Sequence, residues 1–245
     1  MRFRMSAVLA SAAVLAVSGA GCETTREQAA KFGRGGNAAF RVEGLEVRRA
    51  NRDVRVVESS VISDVNGTAV VAVLRNAGRA ALADVPLAMV VKGAGGRALA
   101  RNDEPGLERG LTHAPLLPVG RDVPWVHDQV IVAGGRATAA EVTPGAGRPA
   151  PGDAGANEIA ISAARLEGDP ASGITAIANA VNRSGVAQRD LLIVCVARRG
   201  GRVVAAGRAI VPSIRAGGRA EFQVFFIGDP TGAELTFDAQ PTTFD

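Results

Sequence analysis

The chain has 245 residues, of which 47% are hydrophobic, which is enough for one large domain or two ordinary domains with their own cores. The formal net charge is +4, but Arg2 and Arg4 lie in a predicted export signal, so the remaining chain carries 26 basic and 24 acidic residues. These charges are interleaved and form no basic stripe, which argues against a nucleic-acid partner.

The first 21 residues have the three parts of a secretory signal peptide, and we predict that they are removed. A short positively charged start at residues 1–5 precedes an uncharged apolar run at residues 6–17. Small residues at 18–21 then lead directly to Cys22.

Small residues directly before a cysteine resemble the bacterial lipobox, with Gly19 at the position where leucine is usual. This resemblance implies that Cys22 carries acyl chains such as palmitate and anchors the protein, outside the cytoplasm, to a bacterial cell membrane. Two alternatives remain open. The signal is cleaved without lipidation, or the 17 uncharged residues at 5–21 stay in the membrane as a short span.

Two stretches without apolar periodicity divide the rest of the chain. Residues 22–39 are polar and contain several glycines, and we predict a flexible tether. Residues 144–157 are dense in proline and glycine, and we predict a linker between two modules at residues 40–143 and 158–245. Within the modules, short apolar runs separated by turns favour β-strands over helices.

The two modules contain the same motifs at the same spacing, which predicts that they are copies of one unit. An asparagine ends a β-prone run, an aspartate opens the next strand eight residues later, and a Gly-Gly-Arg turn precedes a return strand. These positions are Asn76, Asp84 and residues 95–97 in the first module, and Asn182, Asp190 and residues 200–202 in the second.

The repeated unit resembles bacterial immunoglobulin-like envelope repeats of the FxLYD and CARDB types. The matching segments read VLRNAG, DVPLAMVVKGAGGRALA and LLPVGRDVPWV in the first module. They read NAVNRSG, RDLLIVCVARRGGRVVAAG and VPSIRAGGRAEFQVFFI in the second. The resemblance implies an all-β protein with two tandem immunoglobulin-like β-sandwich domains, without catalytic activity.

Cysteine and histidine, two residue types often used in catalysis and metal binding, are scarce, with two of each in the chain. Cys195 lies in an apolar strand, and the repeat places Met89 at the equivalent position, so we predict a core cysteine and not a reactive thiol. His113 and His127 belong to no ligand motif, so we predict surface histidines and neither a metal nor a cofactor. Because the nucleophile motifs G-x-S-x-G and S-x-x-K are also missing, we predict that the protein is not an enzyme.

The second module has more apolar strand positions than one core needs. Leu192, Val194 and Val196 lie on the strand face opposite Cys195, and Phe225 lies on the face opposite its apolar neighbours. One face of a sandwich sheet normally meets water. These side chains therefore either pack against the first module, which we favour, or form an exposed patch for a partner.

Together these features predict a non-catalytic, membrane-anchored binding or structural module. Its partners would be membrane lipid, through Cys22, and an envelope protein or a wall component. An alternative is an accessory subunit of an envelope transport or assembly complex. A hydrolase that uses His113 or His127 is a weaker alternative, because no nucleophile motif accompanies either residue.

Overall fold

The computed structural model describes residues 44–151, 158–169 and 172–244, and strands dominate these ranges. The predicted signal peptide, Cys22 and the tether lie outside the described residues, as do linker residues 152–157. Within the described ranges, no helix is both long enough and apolar enough to span a membrane. The all-β prediction is confirmed.

Module one is a β-sandwich whose strands are β1 (Val54–Asp64), β2 (Gly67–Asn76), β3 (Leu82–Lys92), β4 (Ala98–Arg101), β5 (His113–Leu117), β6 (Asp122–Val130), β7 (Ala139–Pro144) and β8 (Arg148–Pro149). A short helix, α1 (Arg109–Thr112), precedes β5. One sheet has the order β1-β2-β6. In the other sheet, β3 pairs with β4 and β7 along its C-terminal half and with β5 and β8 along its N-terminal half.

Module two repeats this arrangement. Its strands are β9 (Ile159–Asp169), β10 (Gly173–Asn182), β11 (Gln188–Arg199), β12 (Arg202–Ile214), β13 (Arg219–Phe225), β14 (Ile227–Gly228) and β15 (Glu234–Gln240). One sheet has the order β13-β10-β9 and the other β14-β12-β11-β15. The strands β9, β10 and β13 correspond to β1, β2 and β6, and the hairpin β11-β12 corresponds to β3-β4.

Each module has its own apolar core, formed by alternate residues of the facing sheets. In module one the core surrounds the fully buried side chain of Trp125. In module two it includes Ile193, Phe222 and Cys195, and the predicted core position of Cys195 is confirmed. Burial raises the pKa of the Cys195 thiol to about 12, because the thiolate has no polar surroundings there.

The repeated asparagines organise the same turn in both modules. Asn76 Nδ2 donates to the carbonyl oxygens of Ala80 at 2.8 Å and Leu117 at 3.0 Å, and its Oδ1 accepts from Gly78 N at 2.9 Å. Both asparagines are fully buried, so these hydrogen bonds satisfy polar groups that water cannot reach.

Asn182 makes the corresponding contacts in module two. Its Nδ2 donates to Val186 O at 2.8 Å and Arg215 O at 3.2 Å, and its Oδ1 accepts from Ser184 N at 3.0 Å. The aspartates that follow, Asp84 and Asp190, both have a left-handed backbone, with φ of 58° and 47°. This conformation is tolerated by aspartate better than by most residues.

The modules differ in one hairpin. The return strand β12 is continuous over 13 residues, whereas module one has β4, an inserted segment with α1, and then β5. Asn102, in the gap between β4 and β5, takes over the missing backbone pairing with β3. Its Oδ1 accepts from Met89 N at 2.7 Å, and its Nδ2 donates to Leu87 O at 2.8 Å. Asn102 therefore ties the start of the insertion to β3.

Module one continues into the segment that the sequence assigns to the linker. Its first residue, Pro144, belongs to β7, and β8 lies inside the predicted linker. Ala150 N also donates to Ala81 O at 2.9 Å, so module one extends to residue 150. Proline is accepted in edge strands, which explains why its density here does not mark a break in the sheet.

The outer faces of two sheets pack against each other. Val71 and Val126 of module one are buried together with Leu192, Val194, Val196 and Ala206 of module two. As a result β2 and β11 are buried on both faces along most of their length. Full burial stabilises each Val or Leu side chain by about 1.5–3 kcal/mol, and residues 43–245 form one compact unit.

Charged groups surround this apolar contact. Arg208 of β12, whose side chain is only 5% exposed, bonds the carboxylates of Glu108 and Asp128 in module one. Glu58 pairs with Arg198 at 2.7 Å, and this hydrogen bond is the main reason why the pKa of Glu58 lies below its ordinary value.

We expect Arg208→Ala to lower the free energy of unfolding by about 3 kcal/mol, because it leaves the carboxylate of Asp128 buried without its cation. Urea unfolding measures this loss. The matched control is Arg202→Ala, because Arg202 is exposed and forms no ion pair within the described residues. It should cost no more than about 0.5 kcal/mol. Equal losses in the two variants would contradict the structural role of Arg208.

Candidate functional site

A cleft of about 670 Å³ opens where the two modules meet. Module one supplies one wall, from the start of β3, the inserted segment around α1, and β8. Module two supplies the other wall, from the start of β11, from β12 and from the C-terminal residues. The lining residues are Ala83, Asp84, Glu108, Arg109, Gly110, His113, Pro115, Arg148, Arg189, Asp190, Leu192, Ile210, Thr242, Thr243 and Phe244.

The interface that joins the modules also shapes this cleft. Glu108 of the inserted segment binds Arg208 from the opposite module, which fixes α1 against β12. A Cβ at Gly110 would lie 2.8 Å from Arg208 Nη1 and 3.0 Å from Glu108 Oε1, so only glycine fits without a shift. Trp125 Nε1 donates to Gly110 O at 2.9 Å, which ties the same segment to the core of module one.

The C-terminal residues close one side of the cleft. Gln188 Nε2 donates to Thr243 O at 3.1 Å, and Thr242 N donates to Gln188 Oε1 at 3.2 Å. The hydroxyl of Thr242 also donates to Arg189 O. These contacts hold Phe244 against the cleft, where it contributes apolar surface beside Leu192 and Ile210.

On the module-one wall, Asp84 is already engaged. Arg109 binds both of its carboxylate oxygens, with Nε to Oδ1 at 2.7 Å, and Arg148 Nε lies 3.6 Å from Oδ2. Burial alone would raise the pKa of Asp84, but the hydrogen bond and the charge of Arg109 hold it below its ordinary value. Asp84 is therefore ionised at neutral pH and serves to position Arg109.

On the module-two wall, two charged side chains remain without partners. Arg189 and Asp190 are exposed, and within the described residues neither side chain makes an ion pair or a hydrogen bond. Arg148 on the opposite wall has only the 3.6 Å contact with Asp84, which is longer than a hydrogen bond. The cleft thus offers free guanidinium donors from both modules and one free carboxylate.

The two histidines are not the surface residues that the sequence predicts. His127 is only 2% exposed, because it follows Trp125 on the inner face of β6, and among the described residues its Nε2 has no hydrogen-bond partner. Burial and the charge of Arg208 lower the pKa of His127 to about 4. His113 is half-buried in the cleft, and its Nδ1 lies 2.9 Å from Thr112 Oγ1. Burial and Arg109 lower the pKa of His113 as well.

The structure separates the four residues of the apolar patch. Leu192, Val194 and Val196 are buried together against module one, and Leu192 reaches the cleft at the edge of this contact. Phe225 lies on β13, in the sheet that does not form the interface, and it is 65% exposed. The favoured expectation, packing against the first module, describes the first three residues. Phe225 stands apart from them.

Sequence reasoning did not identify most of the residues that line the cleft. The repeat spacing singled out Asp84 and Asp190, but only as the residues that open strands. Nothing local in the sequence distinguishes Arg109, Arg148 or Arg189 from the other arginines. In the described residues, no three histidine, cysteine, aspartate or glutamate side chains are grouped to hold a metal ion.

Replacing His127 with leucine should flatten the pH dependence of stability. The pKa of His127 is about 6.5 in the unfolded chain and about 4 in the folded protein. As pH falls below 6.5, the unfolded chain therefore takes up a proton first, and the native protein loses up to about 3 kcal/mol relative to His127→Leu by pH 4. Urea unfolding at several pH values measures the difference between the two proteins.

Contributions of other titrating groups near His127 to the pH dependence of stability cancel when the two proteins are compared. Burial raises the pKa of Asp128, which gives a pH dependence of the opposite sign, and both proteins retain this residue. Above pH 6.5 the two stability curves should run parallel. Curves that stay parallel from pH 7 to pH 4 would show that His127 is not buried in its neutral form.

Comparison with protein-family models finds no match to this chain, and comparison with curated proteins finds none. The immunoglobulin-like character and the resemblance to FxLYD and CARDB repeats therefore stay predictions from the sequence. The antiparallel β-sandwich architecture rests on the structure itself.

Proposed function

We propose that this chain is a non-catalytic binding module, held by a lipidated Cys22 at the outer side of a bacterial cell membrane. The observation that carries this proposal is the cleft between the modules. Both modules supply its walls, and the buried contact that fixes their orientation keeps the cleft open. A preformed, partly apolar cleft with a few polar groups is typical of binding sites.

The state of the chemically reactive side chains supports binding over catalysis. The Cys195 thiol is buried and protonated at neutral pH, whereas a nucleophilic cysteine needs a lowered pKa. His127 is only 2% exposed, and its ring packs edge-to-face against Trp125. His113 reaches the cleft, but its Nδ1 faces the buried hydroxyl of Thr112, which itself donates to Arg109 O at 3.1 Å.

The anchor follows from the N-terminal sequence. Cleavage before Cys22 would leave its thiol as the attachment point for acyl chains, next to the glycine-containing tether at residues 23–39. One acyl chain holds a protein to a membrane only marginally, and two or more make the attachment stable, since each buried methylene contributes about 0.8 kcal/mol. The folded body would then act close to the membrane surface.

Cys22→Ser should abolish incorporation of a radiolabelled fatty acid and move the protein out of the membrane fraction. Cys195→Ala is the matched control, because it removes the other cysteine and should leave both labelling and membrane attachment unchanged. Mass spectrometry of the native protein should find residue 22 at the N-terminus with acyl chains attached. Recovery of an unlabelled protein that retains residues 1–21 would contradict the anchor.

An accessory subunit of an envelope complex is the second candidate, and the exposed ring of Phe225 favours it. A single exposed phenylalanine on a sheet face is a suitable anchor for a protein partner. Its neighbours on the strand, Phe222 and Val224, point into the core, so Phe225 contributes little to folding.

Phe225→Ser should change the free energy of unfolding by less than about 0.5 kcal/mol, because the ring is exposed. Phe222→Ser should lower the free energy of unfolding several-fold more, because Phe222 is buried on the same strand face as Val224. If the protein is a subunit, cross-linking in cells should yield one stoichiometric partner that Phe225→Ser loses. Co-sedimentation with wall polymer and no stoichiometric partner would favour a wall-binding module.

A further inference from the structure

We propose that the cleft binds the C-terminal end of a peptide whose last residue has a bulky apolar side chain. This inference rests on the proposed binding function and names the ligand class of the same cleft. Three features of the lining correspond to three features of such a ligand. They are free guanidinium donors, a free carboxylate acceptor and an apolar surface.

The guanidinium groups select a carboxylate. Arg109 is used by Asp84, and Arg208 is used by Glu108 and Asp128, so neither has its main charge free. Arg148 forms a looser ion pair with Asp84 at 3.6 Å but makes no hydrogen bond, and the side chain of Arg189 has no partner within the described residues. The two arginines come from opposite walls. A planar guanidinium binds a carboxylate through two parallel hydrogen bonds, which gives both affinity and orientation.

The remaining lining favours a peptide over a simple acid. Asp190 has a free carboxylate that can accept a hydrogen bond from a peptide N–H, a group that a simple acid lacks. Leu192, Ile210 and Phe244 supply apolar surface for a side chain. The volume of about 670 Å³ lies within the range of small-ligand sites, which is roughly 300–1,000 Å³.

Isothermal titration calorimetry with the lipidated protein in detergent tests this assignment. The probe is N-acetyl-Leu-Phe as the free acid, compared with the same dipeptide as its C-terminal amide. We expect the acid to bind at least about tenfold more tightly, since the amide loses charge-assisted hydrogen bonds. Equal binding of acid and amide, or no binding of the acid, would overturn the inference.

Variants locate the binding within the cleft. Arg148→Gln and Arg189→Gln should each weaken binding of the acid about tenfold or more. Arg219→Gln is the control, because Arg219 is exposed on β13 and does not line the cleft, and it should leave the affinity unchanged. Unchanged unfolding midpoints show that each variant is folded. An equal effect of all three substitutions would show that the acid binds by charge alone and would overturn the site.

A third probe separates the peptide from other carboxylates. 3-Phenylpropionate carries the carboxylate and the ring but no peptide group, so it should bind more weakly than the dipeptide acid. Equally tight binding would overturn the peptide assignment. Failure of every probe with a protein that is acylated at Cys22 would remove this inference and leave the proposed anchored module in place.

Discussion

A buried apolar contact between the outer faces of two sheets determines how the rest of this structure is arranged. Val71 and Val126 from one module meet Val194 from the other, and no face of β2 or β11 is left for water along most of its length. The contact also explains why β11 is apolar at seven consecutive positions, residues 191–197. A strand buried on both faces loses the alternation that a surface strand shows.

Burying charge beside this contact makes the orientation of the modules specific. An arginine taken out of water is costly unless its partners complete the hydrogen bonds. Arg208 finds those partners in Glu108 and Asp128 only when β12 lies against α1 and the end of β6. Two apolar surfaces can slide past each other without a large loss of contact, whereas the hydrogen bonds of Arg208 break if the modules shift. The shape of the cleft therefore depends on a buried charge as much as on apolar packing.

The sequence predicted the all-β architecture and the duplication, because both leave local signals. Alternating apolar residues mark strands, and the repeated asparagines mark turns that each need the same buried hydrogen bonds. The same alternation indicates the position of His127. It lies two residues after Trp125 on one strand, so both side chains are on the same face, and a buried Trp125 predicts a buried histidine. The module boundary was misplaced because proline and glycine occur in β7 and β8 as well as in the linker.

The cleft could not be predicted in this way, because its residues come from segments far apart in the chain. Asp84, Arg148, Arg189 and Phe244 meet only after both modules have folded and packed. No spacing between these residues in the sequence predicts that they lie close together. The same holds for Arg208, whose acidic partners are 80 and 100 residues away. Local patterns determine the strands, and the long-range packing determines the site.

The inserted segment between β4 and β5 has made the two halves of this molecule unequal. The half that carries it supplies Glu108 and Gly110, and the half without it supplies the arginine that fits there. The two halves carry different residues at this contact, so exchanging them would separate Arg208 from Glu108 and Asp128. An additional copy of either module could not use the same faces, because they already cover each other.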